Sequence, residues 1–234
     1  HMNIKIIYED NDVLVVDKPA GIIVFPGGQI TENTLIDTLI KKYPKLADIG
    51  SPPRYGIAHR LDKDTSGVLL VAKSNESLIF LQKQFINRGV EKKYVCLVEG
   101  IIKEDKGEIK TLIGRSPGDK RKQKAYPLNE TGPGKREAIT EYKVLERFKD
   151  YTLLEVKIKT GRRHQIRCHF SYLQHPIAGD KLYSFKNSPV PEGLTRQFLH
   201  AACLKIKLPN GETKGFESNL PDELQKIINK LKID

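Results

Sequence analysis

Cysteine is scarce in this chain. Cys96, Cys168 and Cys203 are the only three in 234 residues, and they are scattered without paired spacing. An odd, sparse set excludes a disulfide framework and reads as the reduced thiols of a cytoplasmic protein. Cys168 and His169 stand side by side in RCHF, but no second cysteine pair or spaced histidine pair completes a metal site. They read as core residues, and no metal or other cofactor is expected. Long apolar runs are missing too. No stretch approaches the ~20 residues of a membrane helix, and no basic amphipathic helix dominates, so a membrane is excluded as partner. Internal repeats and low-complexity linkers are absent. The opening HMNIKIIYED has no signal-peptide core, and His1-Met2 reads as a cloning scar. Acidic residues are in deficit: 29 Asp+Glu against 40 Lys+Arg gives a net charge of +11. With membranes set aside, that balance points to nucleic acid as the polyanionic partner. Mere solubility is the blander explanation.

What is present is mostly strand. A chain of this length buries a sizeable core as one large domain or two small ones. Short β-type runs occupy 4–8, 13–18, 67–73, 93–100, 107–113, 137–148, 151–160 and 198–208, several alternating apolar with polar residues. Lys149-Asp150 joins two of them like a hairpin, and Asn210-Gly211 signals a tight turn. Helical spacing marks 33–43, 75–88 and 165–174, with Ser74 as a cap and Gly89 as a stop. A tail helix opens at Pro221 and buries Leu224, Ile227, Ile228 and Leu231. Strands outnumber helices without alternating with them, which indicates α+β with a large, mostly antiparallel mixed sheet flanked by helices and loops. Residues 115–136 read as a loose stretch. It carries seven cations (Arg115, Lys120, Arg121, Lys122, Lys124, Lys135 and Arg136), whose mutual repulsion phosphates would relieve. An exposed, solvated hairpin arm is the alternative.

The most informative segment is AHRLDKDTSGVLLVAKS (58–74). It sets Asp62 after Arg60 and Leu61 on a polar turn, just ahead of the buried strand VLLVA, a common place for a reactive group. HRLDKDTSG (59–67) resembles the signature of the RluA-type pseudouridine synthases. YEDNDVLVVDKPAGIIVFPG (8–27), KKYVCLVEG (92–100), TGRRHQIRCHF (160–170), HPIAGDKLY (175–183) and FLHAACLKI (198–206) resemble further segments of that family in the expected order. The resemblance runs from about Ile6 to the tail, so residues 3–234 are expected to be one catalytic domain. The separate RNA-binding domain that many members carry ahead of it is not expected here.

The resemblance implies an isomerase converting uridine to pseudouridine in structured ribosomal or transfer RNA, working as a monomer on a flipped-out base. Asp62 is then the catalytic carboxylate, which either attacks C1′ of the ribose or removes its 2′ proton. Arg167 is the cation paired with it, and Tyr94 stacks on the uracil. Arg60, Leu61, Arg162, His59 and Arg54 are expected on the substrate side, with Arg60 and Arg162 gripping RNA backbone or bracing loops. His59, His164 and His200 read as structural hydrogen-bonding groups, because nothing pairs a histidine with a serine or cysteine nucleophile. Ile57, Leu61 and Leu199 read as apolar packing around the pocket, and Asp64 as a brace for the turn. A nucleoside or glycoside hydrolase and a non-catalytic RNA-binding protein are the rival readings. The hydrolase needs a second carboxylate that the sequence does not place, and the binder has no use for Asp62.

Overall fold

The computed structural model describes residues 2–28 and 32–234. Among them are ten strands and four α-helices. In chain order they are β1 (Lys5–Glu9), β2 (Val13–Lys18), α1 (Leu35–Lys42), β3 (Ser66–Ala72), α2 (Asn75–Ile86), β4 (Glu91–Glu99) and β5 (Lys106–Arg115). There follow β6 (Gln123–Tyr126), β7 (Arg136–Arg147), β8 (Tyr151–Ile158), α3 (Gln165–Tyr172), β9 (Leu199–Lys207), β10 (Thr213–Glu217) and α4 (Asp222–Ile233). The fold is α+β, dominated by strand pairing, as the run of short strands implies. The chain forms two compact units, His1–Lys92 with Ala201–Asn219, and Lys93–His200 with Leu220–Asp234.

In the first unit β2 is flanked by two antiparallel partners. It pairs with β1 from Lys5↔Asp17 to Glu9↔Leu14 and with β3 from Val13↔Ala72 to Lys18↔Gly67. Val13–Val16 and Val68–Ala72 are buried on both faces of their strands, which is why they read as unbroken apolar runs rather than alternating ones. Gly67 has φ +127°, and a Cβ there would collide with the carbonyl of Ala201, so only glycine fits this strand entry. Helix α1 starts with a capping box in which Thr34 and Asp37 bond each other's backbone N–H groups, and Ser74 caps α2 as expected. The hairpin β9–β10 turns at Asn210-Gly211 with Lys207 opposite Thr213.

The second unit is an antiparallel sheet whose strand order does not follow the chain. β4 pairs with β8, β8 with β7, β7 with β5 and β5 with β6, all antiparallel. The stretch read as loose holds β6, which pairs with β5 from Leu112↔Tyr126 to Arg115↔Gln123. That expectation is corrected. A four-residue strand among cations gives too short an alternation to show in sequence. Helix α3 packs on β6 and β7, and its first six residues are all buried. Its apolar side, Ile166 and Phe170, joins Cys96, Val98, Leu154 and Val156 in one cluster. Leu224, Ile227 and Ile228 of α4 join another with Leu97 and Phe198.

Candidate active site

Asp62 sits half-buried on a β-turn whose closing bond runs from Thr65 N to the Asp62 carbonyl, 3.1 Å. The turn is not held by local bonds alone. Lys18, at the end of β2, is fully buried, and its ammonium donates to the carbonyls of Pro19 (2.9 Å), Lys63 (2.9 Å) and Thr65 (2.7 Å). Three donors meet three carbonyls, which is the condition for keeping a lysine away from water. Gly21 N adds a fourth tie, to the Lys63 carbonyl at 2.8 Å. Lysine reads as surface in any sequence, so this role was missed. The signal was its place at the end of the strand opened by the apolar run Val13–Val16, before Pro19-Ala20-Gly21.

The neighbours of Asp62 divide by role. Leu61 and Ile57 are core residues, 6% and 1% exposed. His59 accepts a bond from Leu70 N at Nε2 (2.9 Å) and stacks on Phe85 at 4.8 Å. Burial, then the charge of Lys92, pushes its pKa down to about 3, so it stays neutral and structural. Arg54 and Arg60 are exposed, yet both guanidinium groups lie over the ring of Phe25, at 5.0 and 5.2 Å from its centroid. Phe25 thus holds two cations of the expected substrate side together.

Tyr94, Arg162 and Arg167 belong to the second unit. Tyr94 is half-buried on β4, opposite Val156, and packs on the cluster containing Leu199 and Ile166. Arg162 braces its loop, with Nε donating to the Glu137 carbonyl at 2.8 Å and its own N–H donating to Gln165 Oε1. Arg167 is 7% exposed, which rules out a solvent-facing helix arginine. Asp180, from the loop after α3, takes its Nε (2.7 Å) and Nη2 (3.0 Å) side by side, and also accepts from the N–H groups of Leu182 and Tyr183. Such a bidentate buried pair fixes the plane of the guanidinium. Asp180 was within reach of the sequence, inside HPIAGDKLY, but had no assigned role.

His164 precedes α3 with φ +56°, a left-handed conformation costing a non-glycine residue ~1–3 kcal/mol. Its Nδ1 lies 2.7 Å from the hydroxyl of Tyr183, in keeping with its structural reading. His169 is buried with its ring nitrogens 2.7 and 2.9 Å from the hydroxyls of Thr140 and Thr111. Cys168 lies in an apolar cluster with Ile113, Ala125 and Ala138, and burial pushes its thiol up to about 12.

Burial also lowers the His169 pKa from 6.5 to about 4. The unfolded chain therefore takes up this proton first as pH falls. The contribution of neutral His169 is complete above pH 6.5 and lost as the pH drops toward 4. At about 1.4 kcal/mol per pH unit this amounts to ~2–3 kcal/mol between pH 7 and 4.5. Urea unfolding at those two pH values should show a smaller loss in His169→Gln than in the parent protein. Equal losses would remove His169 as the source.

A family model described as RNA pseudouridylate synthase matches residues 12–172. An RNA pseudouridine synthase of Aquifex aeolicus is 47% identical over 82% of this chain and 59% of its own length. One of Bacillus subtilis is 40% identical over 99% of this chain and 74% of its own. The ribosomal large subunit pseudouridine synthase D of Xanthomonas campestris is 37% identical over 99% and 70%. The chain thus spans about three fifths to three quarters of the length of these relatives. Human RNA pseudouridylate synthase domain containing 4 superposes with a TM-score of 0.76 at 26% identity, over 97% of this chain and 93% of that one. With a family model matching well over half of the chain and relatives 37–40% identical over nearly all of it, the chain belongs to the RNA pseudouridylate synthases, of the RluA type.

Proposed function

We propose that this protein isomerises uridine to pseudouridine in large-subunit ribosomal RNA, with Asp62 as the reacting carboxylate. The observation that carries the reading is the Asp62 turn, seated by a fully buried lysine within a chain of this family. The reaction breaks the bond between N1 of uracil and C1′, rotates the base and joins C5 to the same C1′. A proton leaves C5 and N1 is left protonated, so atoms balance without a redox step. An ionised carboxylate serves the attack on C1′ and the removal of the 2′ proton alike. Arg167, which the resemblance to the family pairs with the reacting carboxylate, is assigned as the cation that serves it. A ribosomal target is favoured over transfer RNA because several relatives that match nearly the whole chain are named for the large subunit.

The uridine must leave its stack to react. Gripping the RNA falls to the arm around β6, where Arg115, Lys120, Arg121, Lys124 and Arg136 are exposed and Lys124 and Lys135 lie over the ring of Tyr126. Arg54 and Arg60, gathered on Phe25, do the same beside the turn. The test is release of tritium from C5-labelled uridine in ribosomal RNA and in transfer RNA. Release from ribosomal RNA with free uracil absent is expected. Free uracil would instead mark a hydrolase, and tight binding without release a non-catalytic RNA-binding protein.

Tyr94 is assigned to stacking on the uracil. Tyr94→Ala should then weaken RNA binding by about tenfold, since a base–aromatic stack is worth ~1–3 kcal/mol, whereas Tyr94→Phe should bind as well as the parent. If the hydroxyl also helps remove the C5 proton, Phe slows product formation alone. Binding and single-turnover measurements on both variants separate the two duties, and parental values throughout would take Tyr94 out of the site.

A further inference from the structure

Tyr183 touches more of the candidate machinery than any one motif suggests. Its ring centroid lies 5.1 Å from the Arg167 guanidinium and 5.5 Å from the ammonium of Lys122, a cation of the basic arm. Its hydroxyl oxygen accepts from Gln123 N at 2.8 Å, at the first residue of β6. The same oxygen lies 2.7 Å from His164 Nδ1, and the two rings meet edge to face at 5.5 Å. With Gln123 donating to the oxygen, the single phenol proton is left for Nδ1. Its backbone is fastened as well. Tyr183 N donates to Asp180 Oδ1, the carboxylate that also holds Arg167, and the Tyr183 carbonyl accepts from Ser171 Oγ. The residue is 3% exposed. It therefore fixes the left-handed residue that starts α3, stacks on the arginine one turn later, and anchors the root of the arm.

Two cations at one ring repel each other and share its attraction. A phosphate that draws the half-buried Lys122 away from the ring relieves that repulsion and leaves Tyr183 to Arg167 alone. We propose that Tyr183 is a positioning residue for Arg167, and that it couples phosphate contact at Lys122 on the arm to the setting of that guanidinium. The inference rests on the reading that Arg167 serves turnover.

The experiment is single-turnover product formation at saturating RNA, together with RNA affinity, for Lys122→Met, Tyr183→Leu, their combination and Tyr183→Phe. Two substrates are used: a full-length target, and a minimal stem-loop too short to reach the arm. Removing one cation–π contact corresponds to roughly two- to thirtyfold in rate. Tyr183→Leu should therefore slow the full-length target by about tenfold while its RNA affinity stays within about threefold. On the minimal RNA, Lys122→Met should be about two- to fivefold faster than the parent, because the competing cation is gone. A residue that merely supported the fold would not produce that gain. In the Tyr183→Leu background the gain should vanish, whereas in Tyr183→Phe, which keeps the ring, it should persist. The Phe variant also keeps the test open if Leu fails to fold.

Parental rates in Tyr183→Leu, or the same Lys122→Met effect with and without the ring, would overturn the coupling. Arg167→Ala measured alongside separates the two levels. Full turnover there removes the reading of Arg167 itself. Loss of turnover there, with Tyr183→Leu fully active, removes only this inference.

Discussion

Asp62→Asn should abolish tritium release, with a loss of at least ~10³-fold, while RNA binding and the unfolding midpoint stay near those of the parent. The amide keeps the shape of the carboxylate but neither attacks carbon nor accepts a proton. Stability is expected to hold because the turn is built from backbone bonds. Thr65 N closes on the Asp62 carbonyl, and Lys18 and Gly21 tie down the carbonyls of Lys63 and Thr65. None of those bonds uses the Asp62 side chain. The combination of intact fold, intact binding and lost turnover is what distinguishes a reacting group from a structural one. Parental release by Asp62→Asn would refute the proposed function at its centre.

Arg167→Met should be the second severe lesion, and it should act in two ways. Turnover should be lost because the cation assigned to Asp62 is gone. The protein should also lose ~3–5 kcal/mol of stability, because Asp180, fully buried at its side chain, is left with only the Leu182 and Tyr183 N–H groups. Neutralising the orphaned acid separates the two effects. Arg167→Met with Asp180→Asn should recover much of the unfolding free energy and none of the activity. Activity returning together with stability would make Arg167 a purely structural residue. Denaturant titration beside the tritium assay reads both.

How far the sequence reached depended on whether a residue's role lay in its own segment. The four helices stand close to where their spacing put them, because a 3.6-residue period and a cap are local signals, as at Ser74. The apolar runs of β2 and β3 were legible for the same reason. The short strands β6 and β10 were not, since four or five residues carrying charge leave no alternation to read. Within the candidate site, the motif order located the Asp62 turn and the Arg167 helix. It could not reveal that Lys18 is buried, that Asp180 holds Arg167 from 13 residues away, or that Arg54 and Arg60 converge on Phe25. Each of those depends on pairings between segments, and a lysine or an aspartate looks the same in sequence whether solvated or enclosed.

The seating of the Asp62 turn bears on protein engineering. Its geometry is set by a side chain 45 and 47 residues earlier in the chain, so HRLDKDTSG is not a portable cassette. Transplanted into another sheet it would bring the carboxylate without the ammonium that shapes its backbone. Residues 18–21 and 62–67 have to be inherited as one block. Phe25 and Arg54 lie outside that block and take no part in its bonds, which makes them the natural positions for a library that retargets the enzyme to a different RNA.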